Sequence, residues 1–128
     1  GYRKADGMGM TVLMWKPFAD DAEAPKWIRP KKKPKPEAGK VVVTGLINGW
    51  CPAMSLVHER ARRAVADLGP AVEFREVRTD DRAVFLEWGM SDALFIDSRE
   101  VRHGPPPKYE KIKRKIAKRI KKLKEPKT

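Results

Sequence analysis

The sequence contains one cysteine, Cys51, at a position that could increase the reactivity of its thiol. Cys51 lies between Trp50 and Pro52, after a β-branched run and directly before a helical pattern. The N-terminus of a helix carries free N–H groups and the positive end of the helix dipole, and both favour a thiolate over a thiol. Because the thiolate is the nucleophilic form of cysteine, Cys51 is a candidate catalytic monothiol. The alternative is a small, partly buried cysteine without reactivity.

The residue types near Cys51 limit the reactions that its thiol could carry out. A CxxC redox motif would place a second cysteine at position 54, where this chain has Met54, and the sequence contains a single cysteine. An internal disulfide cycle is therefore excluded in the monomer. The remaining thiol chemistry is a mixed disulfide with a small thiol or with a partner.

Other residues that often carry chemistry are interpreted as structural. His58 follows Cys51 by seven residues, or about 10 Å along a helix, which is too far for a Cys–His pair. We expect His58 and His103 to be surface or boundary residues, and one cysteine with two distant histidines predicts no metal site. Asp80 and Asp81 are interpreted as a helix cap. The sequence contains no P-loop, GxGxxG motif or nucleophile elbow.

Hydrophobic spacing predicts the elements that position Cys51. The continuous run at 41–47 is typical of a central strand buried on both faces. Pro52 suits the first position of a helix, and Gly69 followed by Pro70 ends that helix. The next strand is then parallel to the first. The predicted order is β-α-β-α-β-β-α. Strands are predicted at 41–47, 71–78, 93–97 and 100–102, and long helices at 52–68 and 108–124. A short helix is predicted between the second and third strands, capped by Thr79 or Asp80 and ending at Trp88.

The last predicted helix combines an apolar stripe with an otherwise basic surface. Its apolar residues recur at spacings of three and four, which predicts packing against the sheet. An amphipathic helix on a membrane surface would have the same pattern. The stripe consists of Tyr109, Ile112, Ile116, Ile120 and Leu123. Three further aromatic residues, Trp50, Trp88 and Phe95, are predicted to lie in the core or to line a pocket.

The residues before position 40 are predicted to lack a core of their own. Residues 10–18 form a β-prone run that would pair with a strand near Tyr2 across a glycine turn. A lone hairpin is marginal in water, so we expect a fragment of a longer protein. Repeated prolines make the following segment an extended linker. The predicted organisation is a hairpin at 1–18, a linker at 19–39 and a domain at 40–128.

The net charge of +12 is concentrated in two segments. Residues 26–40 carry a net +6 and residues 105–128 a net +9, whereas residues 41–104 carry a net −2. Basic segments can recruit nucleic acid or an acidic membrane surface. We favour a solvated lysine face, because no aromatic residues interleave with the basic runs as a stacking platform would require. The chain has neither a membrane-spanning stretch nor a signal-peptide pattern, so we expect a cytoplasmic protein without a membrane partner.

Residues 40–124 contain a series of short motifs in a recognisable order. These motifs are Asn48-Gly49-Trp50-Cys51-Pro52, His58-Glu59-Arg60-Ala61, Phe85-Leu86-Glu87-Trp88-Gly89, Ser91-Asp92-Ala93-Leu94-Phe95-Ile96-Asp97 and Gly104-Pro105-Pro106-Pro107. Together they resemble the YoaP-like domain, which in its family follows a GNAT-type N-acetyltransferase domain. Residues 1–18 are similar to the closing hairpin of a GNAT domain.

The resemblance implies a thioredoxin/glutaredoxin-like fold and a parent enzyme that transfers an acetyl group from acetyl-CoA to an amine. The GNAT catalytic domain of the same parent chain would be the partner of this domain. The acetyl-CoA site would lie upstream of Gly1, so no cofactor is expected in this chain, and whether the chain is itself an enzyme stays open. The resemblance also places Asp92 where thioredoxins usually have a cis-proline beside the thiol, and a carboxylate there would oppose the thiolate.

Three functions follow from these observations. The first is an accessory domain of an N-acetyltransferase, acting in substrate recognition or thiol sensing. The second is a monothiol oxidoreductase in which Cys51 meets a small thiol or an extended peptide, beside a pocket formed by Trp50, Pro52, Met54 and Asp92. The third, a basic nucleic-acid-binding module, is the least favoured, because only the two basic segments support it.

Overall fold

The computed structural model describes residues 1–101 and 104–125, so Arg102, at the predicted end of a strand, and His103 lie outside the described residues. Within the described residues the chain is a mixed α/β protein with three helices and two sheets. The elements are β1 (Arg3–Met8), β2 (Thr11–Trp15), β3 (Val41–Ile47), α1 (Pro52–Leu68), β4 (Val72–Arg78), α2 (Arg82–Trp88), β5 (Ala93–Ile96), β6 (Arg99–Glu100) and α3 (Tyr109–Lys124). This order agrees with the one predicted from hydrophobic spacing.

The larger sheet has its described strands in the order β4-β3-β5-β6. β3 pairs in parallel with β4 and antiparallel with β5, and β5 pairs antiparallel with β6. Every residue of β3 is buried, as the continuous β-branched run predicts for a central strand. The helical connection between β3 and β4 accounts for their parallel pairing, since a parallel pair needs a crossover.

Two helices cover one face of this sheet. The apolar stripes of α1 and α3 pack against alternate residues of β3 and β5, because side chains in a strand alternate between its two faces. The prediction that residues 108–124 pack against the sheet is therefore confirmed. This core includes Val41, Val43, Val57, Ala61, Leu94, Ile96, Ile112 and Ile116.

The opposite face of the sheet carries a smaller apolar cluster, formed by Leu46, Ala93 and Phe95. Trp88 at the end of α2 and Met90 pack against it. The prediction of a core position is confirmed for Phe95, whereas Trp88 is partly buried and packs against the cluster. The helix α2 belongs to this side of the sheet.

The segment before β3 contacts both the hairpin and the domain. Asp6 in β1 accepts hydrogen bonds of 2.8 Å from both terminal nitrogens of Arg29, and one of 2.9 Å from the Trp27 N–H. The hydrogen bond from Arg29 is the main cause that lowers the pKa of Asp6 below its ordinary value. At the other end, the Lys31 N–H donates to the Trp88 carbonyl at 2.9 Å. The extended segment is thus docked along the molecule.

The N-cap of α2 is Asp81, the second of the two adjacent aspartates that were interpreted as a helix cap. Its side chain accepts from the N–H groups of Ala83 at 2.8 Å and Val84 at 3.4 Å. Thr79 and Asp80, the other residues predicted to cap α2, have other partners. The Asp80 carboxylate forms an ion pair with Arg78 at 3.0 Å, while Thr79 is buried and donates its hydroxyl to the Ser91 carbonyl.

Candidate functional site at the start of α1

Cys51 occupies the N-cap position of α1. Its backbone is extended, with φ −95° and ψ 109°, and its carbonyl accepts the Ser55 N–H at 3.0 Å. The thiol makes no capping hydrogen bond with the described residues, and the side chain is partly exposed. Pro52 follows at the first helical position, where its lack of an N–H costs nothing. The partly exposed Cys51 therefore lies at the positive end of a helix 17 residues long.

Three hydrogen bonds hold together the loops around this end of α1. The Asn48 N–H donates to Asp92 Oδ1 at 3.2 Å, and the Asn48 side-chain amide donates to the Thr79 carbonyl at 3.2 Å. Thr79 in turn donates to the carbonyl of Ser91. The loop that leads into Cys51 is thereby tied to the loop before β5. The sequence did not indicate these contacts of Asn48 and Thr79, because the bonds join segments that are distant in the chain.

Asp92 lies against the loop that leads into Cys51, and its predicted position beside the thiol itself stays a prediction. Its carboxylate accepts the backbone N–H of Asn48, three residues before the cysteine. The side chain is partly buried. This hydrogen bond gives Asp92 a structural role in holding the loop, in addition to any electrostatic effect on the thiol.

Trp50 and Met54 have opposite environments on either side of Cys51. Trp50 is 73% exposed, so it is not a core residue, and the alternative that it lines a pocket stays a prediction. The reason is local: Gly49 has a positive φ of 91°, and the loop turns outward before α1 begins. Met54, which replaces the second cysteine of a CxxC motif, is buried on the inner face of α1. Whether Trp50, Pro52, Met54 and Asp92 line one pocket around the thiol stays a prediction.

His58 is buried, which corrects the prediction of a surface or boundary residue. Its side chain is 1% exposed, and Nε2 donates to the Ala93 carbonyl at 3.0 Å. The ring fits over Gly45, since a Cβ at that position would lie 3.2 Å from His58 Cδ2. The helical spacing could have indicated this burial. Residue 58 follows Met54 by four positions and precedes Ala61 by three, which puts His58 on the buried face of α1.

The imidazole of His58 is held in its neutral form. Burial is the largest cause and lowers the pKa of His58, while the hydrogen bond to the Ala93 carbonyl and the charge of Asp92 act in the opposite direction. The other ring nitrogen, Nδ1, is buried and has no hydrogen-bond partner among the described residues. His58 therefore links α1 to β5 as an uncharged donor.

Neither a comparison with protein-family models nor one with curated proteins finds a match to this sequence. Within residues 1–101 and 104–125, no helix has the length and apolar character needed to cross a membrane. Across the same residues, no three or more histidine, cysteine, aspartate or glutamate side chains are grouped to hold a metal ion.

Proposed function

We propose that residues 40–124 form a thioredoxin/glutaredoxin-like domain that serves a GNAT-family N-acetyltransferase as its carboxyl-terminal accessory domain. The element order of this part of the chain carries the proposal. Three helices and four strands follow one another as β-α-β-α-β-β-α, with the single cysteine at the N-cap of the first helix. A minimal thioredoxin or glutaredoxin domain has the same order and the same placement of its reactive cysteine.

The hairpin β1–β2 is consistent with the acetyltransferase part of the proposal. Within the described residues it forms a sheet separate from the larger one, so its unpaired edges are free to join strands of another domain. The ion pair between Asp6 and Arg29 and the backbone bond from Lys31 to Trp88 connect the hairpin to the accessory domain. In this arrangement the domain would be held close to the acetyltransferase, where it could take part in substrate recognition or thiol sensing.

The proposal predicts acetyl transfer by the longer protein and none by this chain. The experiment is to express the complete coding sequence and the 128-residue chain, and to measure acetyl-CoA binding by calorimetry and acetylation of a panel of amines. We expect the longer protein to bind acetyl-CoA and to acetylate an amine. A longer protein that does not bind acetyl-CoA would overturn the acetyltransferase assignment.

The accessory role is tested separately within the longer protein. Arg29→Gln removes the ion pair with Asp6, whereas Arg82→Gln removes an exposed arginine that forms no ion pair with the described residues. If the docked linker positions the domain for the acetyltransferase, Arg29→Gln changes KM for the amine and Arg82→Gln does not. Equal KM values in both variants would contradict a role for this contact.

A monothiol oxidoreductase is the second candidate, and the accessibility of Cys51 at a helix N-terminus favours it. The expected reaction is attack of the Cys51 thiolate on the disulfide of a small-thiol dimer, which forms a mixed disulfide and releases one thiolate. Incubation with oxidised glutathione followed by mass measurement tests this reaction, with Cys51→Ser as the control. Absence of the glutathione adduct on the wild-type protein at neutral pH would exclude the reaction.

A further inference from the structure

A basic groove runs between β6 and the carboxyl-terminal half of α3. Its cavity has a volume of about 290 Å³. The described residues that line it include five cationic side chains and one acidic side chain, with apolar residues beneath them. The charged residues are Arg99, Glu100, Lys115, Lys118, Arg119 and Lys122.

Most of this positive charge is not neutralised by ion pairs with the described residues. Among the described residues, Arg119 is the only cation of the groove with an ion-pair partner, and that partner is Asp97. The lysines at 115, 118 and 122 are exposed. A concave surface with several unpaired cations concentrates positive potential and attracts anions.

Arg119 is oriented by a buried carboxylate. Asp97 lies in the turn between β5 and β6 with a positive φ of 51° and is 3% exposed. Its Oδ1 accepts the Val42 N–H at 3.0 Å, and its Oδ2 accepts Arg119 Nε at 2.5 Å. The two terminal nitrogens of Arg119 have no acceptor among the described residues. This leaves the fork of the guanidinium free to bind a phosphate through two parallel hydrogen bonds.

The positive surface extends beyond the cavity along α3. Lys111 precedes Lys115 by four residues, and Lys115, Lys118 and Lys122 continue at spacings of three and four. These intervals keep all four lysines on one side of the helix. With a rise of 1.5 Å per residue, the row spans roughly 16 Å. A row of this length fits an extended polyanion better than a single phosphate group.

The second basic segment lies on the other side of the same strand. A neighbouring cavity of about 280 Å³ is lined by residues 31–33 together with Glu100 of β6, which also lines the first groove. The segment is held there by the bond from the Lys31 N–H to the Trp88 carbonyl. It is also held by Lys32, whose ammonium forms an ion pair with Glu87 and lies 4.5 Å from the centroid of the Trp88 ring. Two basic segments that are far apart in the sequence thus flank β6 together.

We propose that this surface, formed by the α3 lysine row, Arg99, Arg119, Lys31 and Lys33, binds the phosphodiester backbone of nucleic acid without reading its sequence. None of the described residues that line the groove between β6 and α3 is aromatic, so base stacking does not contribute there. Contacts with phosphates then supply the affinity. A membrane surface is less well matched, since the apolar stripe of α3 is buried against the sheet and cannot enter lipid.

The test compares two triple variants with the same loss of charge. Lys115→Gln/Lys118→Gln/Lys122→Gln removes three lysines of the groove, and Lys4→Gln/Lys16→Gln/Lys26→Gln removes three exposed lysines that do not line it. Binding of the full chain to a fluorescent DNA duplex of about 20 base pairs is measured by anisotropy over a range of salt concentrations. A peptide nucleic acid of the same base sequence, which lacks phosphates, is the second control.

The triple variant of the groove lysines is expected to bind DNA about tenfold or more weakly than the wild-type protein. The magnitude of its slope of log affinity against log salt concentration should be smaller by about 2 to 3. The control triple should retain most of the affinity, and the peptide nucleic acid should not bind. Equal losses in the two triples would overturn the proposal, because net charge alone would then explain binding. Tighter binding to anionic vesicles than to DNA, or a strong preference for one base sequence, would also overturn it. None of these outcomes bears on the proposed acetyltransferase role.

Discussion

His58 is an uncharged imidazole in a site that offers one hydrogen-bond acceptor. The Ala93 carbonyl satisfies Nε2 at 3.0 Å, while Nδ1 is buried without a partner among the described residues. Protonation would place a positive charge on that unpartnered nitrogen. Burial of an unpaired charge is costly, and this cost is why burial lowers the pKa of His58 below its ordinary value of 6.5.

Protein stability should therefore fall as the pH drops below about 6.5. In that range the unfolded chain binds a proton at His58 that the folded chain does not, so the free energy of unfolding decreases with decreasing pH until the lowered pKa is reached. Urea denaturation between about pH 5 and pH 8 measures this dependence. His58→Gln, which can still donate to the Ala93 carbonyl, should have a flatter profile than the wild-type protein. The same slope in both proteins would contradict the assignment.

Asp92 makes a structural hydrogen bond with the Asn48 N–H, and its negative charge is predicted to lie near the candidate thiol. Two substitutions separate these effects. Asp92→Asn keeps an oxygen that can accept the Asn48 N–H but removes the charge, so the thiolate of Cys51 should be favoured and alkylation near neutral pH should become faster. Asp92→Ala removes both and should also lower the free energy of unfolding by about 1 kcal/mol. Because Cys51 is the single cysteine, iodoacetamide labelling reports its reactivity directly.

Two results of the labelling experiment would go against this interpretation. An unchanged rate in Asp92→Asn would mean that the carboxylate does not influence the thiol. Labelling of the wild-type protein only after unfolding would mean that Cys51 is a structural residue, and the oxidoreductase candidate would then be dropped.

The end of α2 and the linker form one packed unit at Gly89. This residue has a positive φ of 71° and is buried, and its N–H donates to the Phe85 carbonyl at 2.7 Å. A Cβ added to Gly89 would lie 2.0 Å from the carbonyl oxygen of Arg29. Glycine is required here both for the left-handed backbone and for the close approach of the linker.

Gly89→Ala should therefore displace the linker from α2, whereas Gly39→Ala should not. Gly39 has a similar positive φ of 83°, but a Cβ there would meet nothing within 4 Å. Both variants carry a backbone strain of roughly 1–2 kcal/mol, and only Gly89→Ala also has the steric conflict. Trypsin cleavage after Lys31 and Lys32 should become faster in Gly89→Ala alone. Equal cleavage rates in the two variants would show that the linker is not held at this position.

Across the whole molecule, the linker connects three parts that the sequence presents as separate. Its Arg29 pairs with Asp6 of the hairpin, its Lys31 N–H bonds to α2, and its residues 31–33 line a cavity together with Glu100 of β6. The opposite side of β6 faces the lysine row of α3. The charge of the chain is therefore arranged as a surface around one strand, and this arrangement supports the polyanion proposal more strongly than the total of +12 does.

The order and type of the elements followed from the sequence, because hydrophobic periodicity, β-branched runs, proline and glycine act over a few neighbouring residues. The buried strand at 41–47, the helix at 52–68 and the packed stripe of the last helix were predicted in this way and are confirmed. The position of Cys51 at a helix start followed from Pro52. Helix caps were less certain, since Thr79, Asp80 and Asp81 are adjacent residues that are all able to cap.

Features that depend on contacts between distant segments were not available from local patterns. The burial of His58 needs the space over Gly45, the role of Asp97 needs Arg119 in another element, and the basic groove needs β6 beside α3. Docking of a proline-rich segment against Trp88 likewise depends on the folded surface. Hydrophobic periodicity indicates which side of a helix or strand is buried. The packing of the elements then determines which group each buried side chain contacts.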